Sequence, residues 1–263
     1  MVKFYSSTYS YDYPFSAVSL AYFLRYPNPY SRHVASTDTI SRNFDPETQR
    51  LTTVRLHLKK NRMPPAVLKL LPKSATSGSI GEDGRTQSFI LESSVIDVKE
   101  GWMETESRNL DWRNVLSVIE QHTYRRPAEA ASPFDEKSKD APTPTIAAQK
   151  AGERTDVDAH VILKSHIGEQ IRKRRARWGE QASATSVTGG ESVIDDEVGV
   201  KKGWLSTWSS GAMQRAIEAI SLQRTERSQP KAQLGMYVVL DRLRDGGLQA
   251  VLEGMRKDRE IEI

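Results

Sequence analysis

The sequence predicts an α+β fold: a seven-stranded antiparallel sheet, one short early helix and one long C-terminal helix. Three observations carry this reading. Extended runs with alternating or β-branched and aromatic residues recur between Val2 and Arg125, separated by turn signals. Only one stretch there, following Pro14, has a helical period. After Ser210 the positions from Met213 to Val238 follow helical spacing. A curved sheet gripping a long helix commonly encloses a cavity.

The elements follow in order. Residues 2–10 read as a strand, and Pro14 opens a helix from Phe15 to Tyr26 that Pro27, Asn28 and Pro29 close. Val34–Asn43 is extended and rich in Thr, Val and Ile. In Leu51–Lys59, Val54, Leu56 and Leu58 alternate with Thr53, Arg55, His57 and Lys59, the period of a half-buried strand. Strands are expected at Ser88–Val98, Trp102–Leu110 and Val115–Arg125, with a seventh at Val200–Ser209. Ser210 is placed to cap the long helix, and Pro230 is expected to kink or break it.

Composition divides the chain. Its 263 residues carry a formal charge of +4 and no cysteine, which excludes disulfides, thiolate zinc sites and a Cys nucleophile. No apolar run approaches the roughly 20 residues of a spanning helix. Between Pro127 and Val200 stand 10 basic and 13 acidic residues but only two aromatics, Phe134 and Trp178. Such a stretch buries too little apolar surface to offset its ordering entropy, so 127–199 reads as a disordered insertion, with one possible short helix at His160–Trp178. Ser74–Gln87 reads as a smaller insertion. The predicted domain therefore spans 1–245, interrupted at 74–87 and 127–199, with 246–263 as a tail. The N-terminus, with one Lys, no Arg and β-spaced aromatics, resembles neither a matrix-targeting presequence nor a signal peptide.

The chemistry lies in cations on faces that should be apolar. Phe15, Val18 and Tyr22 share a helix face that Arg25 continues. On the long helix, Met213, Ile217, Ile220, Arg224, Arg227, Lys231, Leu234 and Val238 form one stripe, apolar at both ends and basic in the middle. An enclosed cation needs an anion. Arg25, Lys59, Arg224 and Lys231 either converge on a shared anion site or are separately satisfied, Arg25 by snorkelling or by a carboxylate such as Glu104. In Arg62–Lys73, the residues Met63, Val67, Leu68, Leu70 and Leu71 form either a loop over the core or a mobile lid that dips into an acidic membrane.

Other motifs are weaker. Arg172–Arg177 (RKRRAR) lies in a net-acidic stretch without interleaved aromatics and reads as a solvated charge run, so no nucleic-acid partner is expected. The five histidines show no metal-ligand spacing, Gly78, Gly81 and Gly84 make no dinucleotide fingerprint, and no nucleophile elbow or carboxylate pair is present. Neither a metal, a cofactor nor an enzymatic activity is expected.

The blocks RYPNPYSRHVASTDTISRN (25–43), RLHLKKNRMP (55–64), ESSVIDV and SRNLDWRNVLSVIEQHTY (within 92–124), and WSSG with LGMYVVLDRL (within 208–243) resemble the PRELI-like family, specifically its fungal Ups-type mitochondrial lipid transfer members. The resemblance implies a helix-grip, START-like fold around a lipid cavity. It further implies a carrier of phosphatidic acid from outer to inner mitochondrial membrane, in the intermembrane space, for cardiolipin synthesis. A phosphatidylserine carrier is the alternative cargo reading, and a non-transferring interaction scaffold the alternative class. By the resemblance, Arg25 and Lys59 are pocket cations, with Lys60 one residue away as the other candidate. Arg224 and Lys231 stand where the family has helix lysines, and Arg62–Pro72 corresponds to the lid. Ala66 occupies the position of a familiar lid tryptophan. The implied partners are phosphatidic acid, the acidic inner membrane contacted peripherally, and a small helical-hairpin helper with twin cysteine pairs, a dependence that suits a cysteine-free chain.

Overall fold

The computed structural model describes residues 2–62, 85–127, 154–166 and 210–260. Within them the chain runs β1 (Val2–Tyr11), α1 (Phe15–Leu24), β2 (Val34–Asp45), β3 (Arg50–Arg62), β4 (Arg85–Asp97), β5 (Trp102–Asn109), β6 (Leu116–Arg125), β7 (Thr155–Ser165) and α2 (Ser210–Glu260). The seven strands form one sheet in the order β1-β7-β6-β5-β4-β3-β2, and every pairing is antiparallel. Register shifts at Val34/Ser36 and Thr39/Ser41 mark irregularities in the edge strand β2. The α+β architecture predicted from sequence is the one observed, a seven-stranded antiparallel sheet with α1 and the long α2 against one face.

The seventh strand is not where the sequence reading put it. Val200–Ser209 lies outside the described residues, whereas β7 falls inside the stretch read as a disordered insertion. Residues 160–165, expected to begin a short helix, are extended. The reason is a period of two that average composition hides. Thr155, Val157, Ala159, Val161, Leu163 and Ser165 are buried, while Asp158, His160 and Lys164 on the other face are exposed. The strand joins β1 to the rest of the sheet. Its outward side chains are tied across the pair, His160 Nδ1 to Ser6 Oγ at 3.1 Å and Asp158 to Thr8 at 2.8 Å. The short insertion at 74–87 is likewise trimmed, because β4 already begins at Arg85.

The core lies between sheet and helices. Tyr11, Phe15, Val18, Tyr22, Met103, Tyr124 and Val157 pack there with Met236, Val239, Leu240, Leu243 and Val251. Gly235 permits the closest approach of α2 to the turn after α1. A methyl there would lie 2.9 Å from the amide of Asn28, which is buried, donates to Arg25 O and accepts from Tyr30 N.

The long helix differs from expectation in where it breaks and in which face it buries. The helix passes through Pro230 and is interrupted instead at Gly246–Gly247, where Gly247 takes φ 63° and ψ −156°. Pro230 is exposed, so the N–H it lacks is missing on the solvent side. Beyond the break, residues 248–260 of the expected tail are helical: Val251 is fully buried, and Asp258 accepts from Arg242 Nη1 at 2.8 Å. The buried stripe also differs from the predicted one. Spacings of 4 and 3 in strict alternation average 3.5 residues, whereas an α-helix turns every 3.6, so the stripe drifts about 20° per heptad. Of the predicted stripe Ile217 is buried, but Arg224, Arg227 and Lys231 are exposed and Leu234 is left 45% exposed, while Gln229, Met236, Val239, Leu240 and Leu243 are the buried positions further along.

Candidate functional site

The inner face of the sheet beneath the end of α1 is polar, the reverse of what β3 suggests by its aliphatic row. Thr53, Arg55 and His57 are buried, and Val54, Leu56 and Leu58 take the other side. The cause stands directly across the ladder, where Arg55 pairs in register with Glu92 of β4. Arg55 Nε donates to Glu92 Oε1 at 2.8 Å, and its Nη2 meets the same oxygen. Arg25, at the C-cap of α1, brings Nη2 to Glu92 Oε2. His57 Nε2 lies 3.2 Å from Oε2, and its Nδ1 is 2.9 Å from Thr37 Oγ1.

Both arginines also use the helix end. Arg25 Nη1 donates to Tyr22 O at 2.8 Å and Arg55 Nη1 to Phe23 O at 3.1 Å, satisfying carbonyls at the negative pole of α1. The Arg25 guanidinium sits 3.8 Å from the ring centroid of Tyr22 and 4.6 Å from that of Tyr26. The carboxylate that satisfies Arg25 is therefore Glu92 rather than Glu104.

Around this cluster lies an inner chamber of about 60 Å³, lined among others by Arg25, His57, Lys59, Glu92, Glu120 and Tyr124. Glu120 Oε1 accepts from Gln229 Nε2 at 2.6 Å and lies 3.5 Å from His122 Nε2. A second, larger cavity of about 370 Å³ adjoins it, with Ile90, Val115, Val118, Leu163, Ile217 and Ile220 in its wall. Lys59 and Ile90 line both. The outer volume lies in the roughly 300–1,000 Å³ range of ligand pockets and the inner one well below it, room for a compact polar group only. Trp112 lines the outer cavity at φ 62°, an uncommon backbone for a bulky residue.

The electrostatics favour one added negative charge. Arg25, Arg55 and Lys59 face Glu92 and Glu120, and the histidines are neutral near pH 7. Burial drives His57 and His122 below their ordinary value, against the pull of Glu92 and Glu120. Burial works against ionised Glu92, but Arg25, His57 and Arg55 outweigh it and hold the carboxyl well below its usual range. Burial pushes Tyr22 and Tyr124 upward, so both keep their hydroxyl protons.

Of the residues predicted from sequence, Arg25 and Lys59 share the inner chamber, and Lys59 and Arg224 share the outer cavity. Lys231 is exposed and lines neither. Met63, Val67, Leu68, Leu70 and Leu71 lie outside the described residues, as does Arg172–Arg177. Sequence reasoning missed Arg55, His57, Glu92, Glu120, His122 and Gln229. The available signal was register: an antiparallel β3–β4 pairing that sets Arg55 opposite Glu92 brings the two charges onto one face, although alternation alone assigns charged rows to solvent.

The profile of the PRELI-like family matches residues 16–139, which take in α1, β2–β6, Arg25, Lys59, Glu92 and Glu120. The chain carries a PRELI-like domain. Protein UPS1, mitochondrial, of Saccharomyces cerevisiae is 41% identical over 125 residues, 48% of this chain and 65% of that protein. The ups1 homolog of Schizosaccharomyces pombe is 38% identical over 44% of this chain and 61% of its own length. PRELI domain-containing protein 1, mitochondrial, of Homo sapiens is 31% identical over 47% and 52%. The matched segment thus spans about half to two thirds of each of these relatives and about half of this chain.

Proposed function

We propose that this PRELI-like chain is a mitochondrial lipid transfer protein whose cargo is phosphatidic acid, moved from outer to inner membrane for cardiolipin synthesis. The observation that carries the reading is the joined pair of cavities: a polar inner chamber, lined by Arg25 and Lys59 and backed by Arg55, opening at Lys59 onto an apolar outer one. A phospholipid has the same two parts. At about 0.8 kcal/mol per buried CH₂, two acyl chains hold a lipid in its bilayer by more than ~20 kcal/mol, so a carrier must replace that hydrocarbon with apolar wall. The phosphate enters first, toward Lys59 and Arg25, and the chains follow into the outer cavity past Ile90, Val118 and Ile220. Lys59 is the chamber's mobile point charge, while Arg25 is held by Glu92 and offers its remaining donor capacity. Arg224, exposed at the outer cavity, steers the anion inward.

The names of the relatives support a mitochondrial setting, and the family resemblance supports the intermembrane space, a twin-cysteine helper and peripheral contact with acidic inner membrane. The test is transfer of labelled phosphatidic acid from donor to acceptor liposomes by the chain co-purified with its helper. Lys59→Met should reduce transfer at least tenfold. Equal transfer of phosphatidylserine and phosphatidic acid would contradict the assigned cargo, and no transfer of any phospholipid would contradict the carrier.

A further inference from the structure

Glu120 is a carboxylate for which phosphate binding has no evident use, since a negative charge in the chamber works against an anionic headgroup. Glu92 is accounted for by Arg25 and Arg55. Glu120 is not. It projects from β6 into the chamber lining, opposite the charges of Lys59 and Arg25, and its side chain is 29% exposed. Both of its polar neighbours, Gln229 Nε2 at 2.6 Å and His122 Nε2 at 3.5 Å, meet Oε1. Among the described residues no hydrogen bond reaches Oε2. Burial alone raises this carboxyl's pKa, but His122, Lys59 and the Gln229 hydrogen bond outweigh it and keep the group ionised. A charged acceptor with an oxygen not taken up by the arginines is therefore open to the chamber that Lys59 and Arg25 line.

We propose that Glu120 determines headgroup specificity by accepting a hydrogen bond from the P–OH of a monoanionic phosphomonoester, whose other oxygens face Lys59 and Arg25. The assignment rests on the lipid-carrier reading and narrows it. A phosphoryl monoester has a second pKa near 6, so its monoanion carries a transferable proton and its dianion is one protonation away. A phosphodiester has no such proton and turns only lone pairs toward Glu120. Leaving a partly buried carboxylate against them costs on the order of a charged hydrogen bond. Arg25 and Lys59 of the lining, with Arg55 bound behind Glu92, set three cations against two carboxylates, so the cluster as a whole has a single positive charge to be matched. A lipid ammonium is the other donor that such a carboxylate accepts, and the experiment separates the two.

The full chain, purified with its helper, is assayed with liposomes containing phosphatidic acid, phosphatidylmethanol (a diester without a headgroup donor) or phosphatidylserine. Binding of short-chain forms of the same lipids is measured alongside. Wild-type protein should prefer phosphatidic acid over phosphatidylmethanol. Glu120→Gln, which keeps the Gln229 contact but adds a donor, should shrink that preference at least tenfold, while Glu120→Asp retains it. An unchanged preference in Glu120→Gln overturns the proposal. So does a Glu120→Gln protein that loses phosphatidylserine while handling phosphatidic acid and phosphatidylmethanol as before, because Glu120 would then be an ammonium acceptor. Short-chain binding with the predicted preference but no transfer contradicts the carrier and upholds the role of Glu120. Absence of both binding and transfer overturns the two together.

Discussion

Arg25 and Glu92, 67 positions apart in the chain, meet as a buried ion pair that fastens the end of α1 to the middle of the sheet. The same carboxylate holds Arg55. One carboxylate thus serves two arginines, of which Arg55 is the more deeply buried, and it is engaged before any ligand arrives. Breaking a buried pair from one side costs about 3–5 kcal/mol, because the survivor stays enclosed and unpaired. Glu92→Gln, which strands both arginines, should destabilise the protein by that order, Arg25→Met by less because Glu92 keeps Arg55, and the double variant by clearly less than the sum. Urea unfolding of the three variants measures the coupling. Arg25→Glu sets a second carboxylate against Glu92, so it is expected to unfold the domain before it reports on lipid.

Acid should weaken the fold in two stages. His57 and His122 are held below their ordinary value near 6.5, so as pH falls through that value the unfolded chain takes up protons that the folded one refuses. Stability is full above about pH 6.5 and declines below it. A further loss begins near pH 4.5, where the unfolded Glu92 protonates and the folded one does not. Thermal unfolding followed from pH 8 to 4 should show this decline, and His122→Gln should flatten the part between pH 6.5 and 5.

Gly235→Ala pits two effects against each other. Alanine gains about 1 kcal/mol over glycine in a helix interior. Its methyl would stand 2.9 Å from the Asn28 amide, which is pinned by hydrogen bonds to Arg25 O and Tyr30 N and cannot yield cheaply. Overpacking of this kind costs about 1–3 kcal/mol, so the net effect should be destabilising. The melting temperature of the variant checks the sign.

Pro230 and Gly247 should respond in opposite directions. Pro230→Ala restores a missing N–H donor on an exposed helix face and should stabilise by up to ~3 kcal/mol. Gly247→Ala meets no atom within 4 Å but inherits φ 63°, a left-handed backbone that costs about 1–2 kcal/mol for a residue with a Cβ. Differential scanning calorimetry of the two variants distinguishes them.

The contrast between those positions shows what a sequence reveals and conceals here. Strands β1–β6 were legible because each alternates or clusters β-branched and aromatic residues between turn signals. The alternation of Val157, Ala159, Val161 and Leu163 in β7 was equally regular. It was lost because averaging over the surrounding Ala-, Thr- and charge-rich residues swamped eleven ordered positions. Proline is the stronger helix breaker in isolation, yet the helix turns at Gly246–Gly247, where the chain folds back to pair Arg242 with Asp258. At the site, Arg25 and Lys59 stood out as cations continuing faces of regular elements. Glu92 and Glu120 did not, because charged residues alternating along a strand ordinarily face water. Only the register that sets Arg55 across from Glu92, and the helix end that needs donors for Tyr22 and Phe23 carbonyls, turn that row inward.

Lys59 and Lys231 were equal candidates in the sequence and are unequal in space. Lys59 joins the two cavities, whereas Lys231 is exposed and borders neither. The most direct measurement is the rate of phosphatidic acid transfer between liposomes by the helper-bound chain carrying Lys59→Met or Lys231→Met. A carrier that seats its headgroup in the inner chamber loses at least tenfold with Lys59→Met and less than threefold with Lys231→Met. Undiminished transfer by a folded Lys59→Met protein, or an equal loss from both variants, would contradict it.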